Sequence, residues 1–399
     1  MHMPVPITED IYWVGVNDRQ TTLFEALWPL PRSVSYNSYI IVDEKTALVD
    51  TLKEQSTEIY LDKIRRVLDA GKQVDYLIVN HMEPDHSGSI RILHDLFPEL
   101  TIIGNRQTKR FLGDFYGLAD AVQVVKDGDT LDLGRHKLKF YMTPMVHWPE
   151  TMMTYDTGEK VLFSGDAFGG FGALTGGIFD DELDLPYFED EILRYFSNIV
   201  GKYSDKVQRA IAKLGDLPLN VIAATHGAVW RHEPETIVKL YDRWSRHEAE
   251  EGVVLVYASM YGNTERMMDA VATGLSEEDL ARVRIYNVST THISYLIRDA
   301  WRYQGLILGS PTYDRGLFPL MDHFIGFLEH KDLRKRTLGL FGTFGWSGGG
   351  VKSLKAFAED GDWDIVEPIV EARCCPSEED LRACRDLGQN LVRRIKDEG

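Results

Sequence analysis

"NHMEPDHSG", residues 80–88, packs His81, Glu83, Asp85 and His86 into six consecutive positions directly behind the apolar run "DYLIV". A short apolar run bounded by polar residues reads as a buried strand, so four cation-binding groups leave one strand end. Alternate side chains of an extended segment share a face, which predicts His81, Glu83 and Asp85 on one side and His86 on the turn that follows. A single ion rarely takes so many donors from adjacent positions. The loop therefore points to two metals.

Working outward, three later strands each end on one more donor. "TPMVHWPET" offers His147 after "LKFYM", "LFSGDAFG" offers Asp166 after "KVLF", and "AATHGAVW" offers His226 after "NVIA". Alone, each reads as a cap or a packed histidine. Added to the loop, they make a metal constellation, and Gly165 beside Asp166 allows close backbone approach. His2, His94, His136, His232, His247, His292, His323 and His330 have no such context and read as surface or ordinary packing residues.

Around these donors, residues 36–175 read as short strands with two helices, "STEIYLDKIRRVLDA" and "SIRILHDLF", the hairpin "YNSYIIV"/"KTALVDT" turning at Asp43 and Glu44. The polar stretch "WSRHEAEEG" marks a boundary, giving domains 1–249 and 252–399. Beyond it the pattern becomes clean strand–helix alternation from "VVLVYASM" to "SEEDLRACRDLGQNLVRRIKD", which predicts a doubly wound, five-stranded parallel sheet.

In this second half, Ser259, Met260, Tyr261, Gly262, Asn263 and Thr264 form a turn between a strand and a helix. Helix N-terminal amides and hydroxyl donors suit a phosphate. Two more loops, "GSPTYDRG" with Ser310, Pro311, Thr312 and Tyr313 and "GTFGWSGGG" with Thr343, Phe344, Gly345, Trp346, Ser347 and Gly348, follow the third and fourth strands. The aromatics among them suit a planar ring or plain packing.

Composition narrows the field. The net charge of −18 disfavours nucleic acid and anionic membranes. The first residues have neither a basic nor an apolar signal region, and no apolar run reaches ~18 residues, so a cytoplasmic protein is expected. Cys374, Cys375 and Cys384 form no CxxC pair, and reduced thiols packed under or beside the last helix are expected rather than a disulfide framework, a zinc site or an iron–sulfur cluster.

The donor series resembles the metallo-β-lactamase fold, an αββα sandwich in which H-x-H-x-D-H and later His, Asp and His residues hold two metals. Here Glu83 stands at the second histidine, and a carboxylate suits iron better than zinc. Ser259 to Thr264 resembles the flavodoxin phosphate loop, (S/T)-x-x-G-x-T. Together the halves resemble the flavodiiron proteins, also called A-type flavoproteins, over essentially the whole chain.

That resemblance implies FMN and a non-haem diiron centre that reduces dioxygen to water or nitric oxide to nitrous oxide. It implies that His81, Glu83 and His147 hold one iron, Asp85 and His226 the other, and that Asp166 bridges them. His86 is a second-iron ligand in some members and swings away in others. Tyr195 matches a tyrosine often found near the diiron pocket, and reads equally as a core residue of its helix. A head-to-tail homodimer, or a dimer of such dimers, is implied, with rubredoxin or reduced F420 as the external donor. A zinc-type hydrolase carrying a flavin module and a flavin electron carrier or redox sensor with a vestigial metal site are the alternatives.

Overall fold

Short apolar runs broken by turn residues build two facing mixed sheets in residues Met1–Ser245, and the strand–helix alternation builds a third sheet in Arg246–Gly399. The computed structural model describes residues 3–68, 72–361 and 363–398, so His2 lies outside the described residues.

The first sheet runs Val5–Pro6, Ile11–Trp13, Tyr39–Ile41, Ala47–Val49, Tyr76–Ile78, Thr101–Gly104 and Val122–Val124. It begins antiparallel, with Tyr39 opposite Val49 across the Asp43–Glu44 turn, and becomes parallel from Ala47–Val49 onward. The second runs Thr130–Asp132, Lys137–Met142, Met152–Asp156, Val161–Gly165, Val221–Ala224 and Val229–Trp230. Ile11, Tyr39, Ile41, Val49, Ile78 and Ile103 of the first meet Leu138, Phe140, Met152, Val161 and Phe163 of the second in one buried cluster. Such interdigitated faces form the core of a sandwich. Truncating one of its large side chains, such as Phe163→Ala, is worth roughly 3–5 kcal/mol.

Several elements escaped the periodicity reading, the helix Pro234–Ser245 among them. Arg106–Tyr116 is a helix whose buried contacts are only Thr108 and Leu112. Its start is set instead by a capping box between Asn105 and Thr108, its end by Gly117 at φ 71°. Met152–Asp156 is a fully buried strand without alternation.

The third sheet is parallel in the order Val283–Asn287, Glu250–Tyr257, Tyr303–Tyr313, Arg336–Phe344, with Trp363–Ile365 and Val370–Arg373 sharing the far edge. This is the flavodoxin-like order 2-1-3-4-5. Helices Asn263–Glu277 and Glu378–Glu398 pack together on one face, and Gly274 permits it: a Cβ there would fall 2.0 Å from the carbonyl oxygen of Arg385. The first strand of this unit opens at Glu250, before the residue 252 expected, and the division between the two units follows Ser245. Among the described residues no helix is long and apolar enough to cross a membrane.

Candidate metal centre and flavin loops

The strand Tyr76–Ile78 delivers Asn80 and His81 to the sheet end, where Asp50 takes the backbone N–H of both, at 2.8 and 3.2 Å. Extended geometry then stops. Glu83 is the last extended residue, and Pro84, pre-set for a helix N-terminus, opens the single turn Pro84–Ser87. The predicted common face of His81, Glu83 and Asp85 is therefore broken after Glu83. Asp85 and His86 point to a different partner set.

Two groups result. His81, Glu83, His147 and Asp166 can place one donor atom each within 4.8 Å of one another, and so can Asp85, His86 and His226. Asp166 faces both. Its Oδ2 lies 3.0 Å from His147 Nε2 and 3.5 Å from His81 Nε2, while Oδ1 lies 3.1 Å from His86 Nε2 and 3.8 Å from His226 Nε2. Glu83 Oε2 stands 3.2 Å from both His81 and His147. Asp85 Oδ2 stands 3.4 and 3.5 Å from His86 and His226, whose Nε2 atoms are 3.0 Å apart.

Asp166 and His226 are placed by one parallel pairing, Gly165 opposite Ala224, and Gly165 turns at φ 60° to release Asp166. Supporting contacts fix the ring tautomers. His81 Nδ1–H donates to Glu150 Oε1 at 2.8 Å, and His226 Nδ1–H donates to the Ser35 carbonyl at 2.8 Å, so each Nε2 keeps its lone pair for a cation. Thr225 Oγ1–H donates to Asp166 Oδ1 at 2.5 Å.

The donor set fits two cations. Both Asp85 oxygens and His86 Nδ1 are buried without a hydrogen-bond partner, a costly arrangement for groups that do not bind an ion. Burial favours neutral rings, yet Asp85 and Asp166 outweigh it at His86, pushing that imidazole up to about 9. His147 rises to about 9 against the same burial, through Asp166 and Glu83. Burial would raise Asp166, but His81 and His86 hold it well below the usual carboxylate range. The imidazolium charges balance the carboxylates where metal ions would otherwise do so.

Tyr195 ends the helix Leu185–Tyr195, fully buried, its ring 5.5 Å from that of His226 and its hydroxyl without a hydrogen-bond partner. It is at once a core residue and a wall of the metal pocket. Glu150, Asp50, Ser35 and Thr225 were not singled out from sequence. Nor was Glu25, whose carboxyl accepts from Trp28 Nε1 at 3.0 Å and is pushed up to about 7 by burial and by Glu83, although the residue as a whole is open to solvent.

In the second unit, the three loops leave the C-terminal ends of neighbouring strands. Gly262, at φ 86°, caps the helix Asn263–Glu277 and donates its N–H to Ser259 Oγ at 3.1 Å. Thr264 and Thr343 share a hydroxyl contact of 2.9 Å, joining the first loop to the third. Pro311 pairs with Thr343, and Thr312 Oγ1 accepts the N–H of Gly350 at 2.9 Å. Tyr261 and Trp346, 90 % and 88 % exposed, stand on the loops with the half-exposed Tyr313, while Met260, Asn263, Ser310, Phe344, Gly345, Ser347 and Gly348 complete them. Helix-terminal amides beside open aromatic faces fit a phosphate attached to a planar ring.

Residues 34–227 match the family described as ODP family beta lactamase, and residues 255–388 match Flavodoxin. The chain is 33 % identical over 398 residues to the anaerobic nitric oxide reductase flavorubredoxin of Escherichia coli O1:K1, covering 98 % of this chain and 82 % of that one. The chain belongs to the flavodiiron proteins. Among solved flavodiiron structures, the rubredoxin oxygen:oxidoreductase of Desulfovibrio gigas superposes with a TM-score of 0.94 at 28 % identity, covering 99 % of each chain. The flavodiiron protein of Giardia intestinalis gives 0.93 at 28 % identity, covering 99 % of this chain and 97 % of that one. The cofactors of a flavodiiron protein are FMN and a pair of non-haem irons.

Proposed function

We propose that this chain is an oxidoreductase that reduces dioxygen to water, nitric oxide to nitrous oxide, or both, with electrons relayed through FMN. One observation carries the reading: the two oxygens of Asp166 face two separate groups of donors. His81, Glu83 and His147 would hold one iron, Asp85, His86 and His226 the other, with Asp166 between. When bound, the iron pair supplies two adjacent redox centres that bind the diatomic substrate.

The protein's own residues set the stage. Glu150 and the Ser35 carbonyl hold His81 and His226 in the tautomers that aim Nε2 inward. Phe24, Phe171 and Tyr195 pack edge-on to one another beside His226, which keeps that side of the pocket apolar. The Ser259–Thr264 turn would hold the flavin phosphate, with Tyr313, Phe344 and Trp346 against its ring.

A redox partner supplies the electrons. The name of the Desulfovibrio relative favours a rubredoxin-like protein over reduced F420. A head-to-tail homodimer, or a dimer of dimers, would set the FMN of one protomer beside the iron pair of its partner.

The test is metal and flavin analysis followed by anaerobic turnover with a reduced donor, comparing O2 and NO on one preparation. About two irons and one FMN per chain are expected, with consumption of at least one substrate. Zinc without iron, or flavin reduction with neither gas consumed, would overturn the reading. Asp166→Asn is expected to abolish turnover while FMN still reduces, and unchanged turnover would remove Asp166 from its bridging role.

A further inference from the structure

The expectation of thiols packed with the last helix holds for Cys384, which is fully buried in Glu378–Glu398. It fails for the other two. Cys374 and Cys375 are both exposed on the loop between Val370–Arg373 and that helix. The chain leaves its edge strand there: Cys374 donates its N–H to the Phe344 carbonyl at 2.7 Å and then turns at φ 58°. Its Sγ lies 3.7 Å from the Gly345 carbonyl. On the other side, Arg266 Nη1 donates to Cys375 Sγ at 3.0 Å from the first turn of Asn263–Glu277.

We propose that Cys374 and Cys375 form a thiol–disulfide exchange site for small disulfides of the glutathione type, with Cys375 as the attacking sulfur and Cys374 as the resolving one. Three observations carry this. Both thiols are open to solvent, they are adjacent in the chain, and only Cys375 has a guanidinium hydrogen-bonded to its sulfur. A cation beside a thiol favours the thiolate, the form that attacks. Cys384 is an internal control, since burial, with Asp380 second, pushes its thiol up to about 12.

The chemistry balances. The Cys375 thiolate attacks one sulfur of the disulfide RSSR, forming a Cys375–SR bond and expelling RS⁻. Cys374 loses its proton to solvent and attacks the Cys375 sulfur, forming the Cys374–Cys375 bond and expelling the second RS⁻. Two protein thiols are oxidised, and one RSSR is reduced to two RSH. Adjacent Cα atoms lie about 3.8 Å apart, short of the ~4.4–6.8 Å usual for disulfides. The bond formed is strained and therefore easily reduced again, as befits a reversible site.

The test treats the full-length holoprotein with glutathione disulfide and follows it by intact and tandem mass spectrometry. Loss of two hydrogens, a Cys374–Cys375 link, an unmodified Cys384 and reversal by dithiothreitol are expected. Cys374→Ser should stop at a glutathione adduct on Cys375. Cys375→Ser should react several-fold more slowly at Cys374, and Arg266→Gln should slow the first step by a similar factor, as the guanidinium hydrogen-bonded to the Cys375 sulfur is lost. Adducts on both sulfurs without the link, equal rates for the two single-cysteine variants, or an Arg266→Gln rate matching the parent would overturn the proposal.

Discussion

Glu150 is fully buried, and one of its oxygens, Oε1, takes both the His81 ring N–H and the Met82 backbone N–H at 2.8 Å. A carboxylate there fixes the His81 ring and makes its Nε2 a better donor. Glu150→Ala is therefore expected to weaken iron retention by ~10–100-fold, read as iron remaining after dialysis against a chelator. Glu150→Gln, which can still accept but carries no charge, should fall between parent and alanine variant. If both variants keep the parent's iron, Glu150 only packs. The donors themselves were legible because His, Glu and Asp at strand ends are informative by type and spacing. Glu150, Ser35 and Thr225 were not, because a hydrogen bond to a ligand leaves no spacing signature: Ser35 lies far from His226 in sequence and contributes a backbone oxygen.

At the scale of elements, apolar periodicity made legible the hairpin Tyr39–Ile41/Ala47–Val49 and the strand–helix alternation that builds the parallel sheet, though not the order of its strands. What failed was local. Pro84 turned an extended reading into a helical turn, which parted Asp85 from the face of His81 and Glu83 and set it with His86, read on the turn from the start, in the second group. Arg106–Tyr116 went unread although Thr108, Phe111, Leu112 and Phe115 carry the helical spacing, and its ends are set by caps.

The junction before the strand Glu250–Tyr257 is another case. Buried Arg336 donates to the carbonyls of Ala300 and Trp301, closing the helix Ile293–Arg302, and to those of His247, Arg334 and Lys335. A cation at a helix C-terminus that also satisfies buried carbonyls is costly to remove. Arg336→Met should cost about 3 kcal/mol in urea denaturation followed by flavin release. His247 stacks on Trp301 at 5.2 Å between centroids, and burial, followed by Arg336, pushes its imidazole down to about 4. Folding thus favours the neutral ring. Its contribution to stability is complete above the ordinary value of ~6.5 and is lost as pH falls toward 4. His247→Gln should flatten that part of the stability–pH curve, and an unchanged slope would exonerate the ring.

Across the whole molecule, the metal donors come from both sheets of the first unit: His81, Glu83, Asp85 and His86 follow the first, and His147, Asp166 and His226 the second. Bound ions would therefore clasp the sandwich shut, and stripping them leaves the carboxylates to be balanced by imidazolium rings alone. Calorimetry is expected to show the transition of the first unit falling on chelation, by about 2.7 kcal/mol of stability for each site that was 100-fold over its dissociation constant. The transition of Arg246–Gly399, which has its own core, should stay in place. Movement of both, or neither, would contradict the clasp. The pairing of Val161–Gly165 with Val221–Ala224 carries a further consequence, for biosynthesis. A nascent chain that has not yet emerged as far as Val221 already displays the histidine- and carboxylate-rich loop of residues 81–86, yet lacks the neighbour that sets Asp166 and supplies His226. The full donor set, and any choice among competing ions that rests on it, exists only once that crossover has formed.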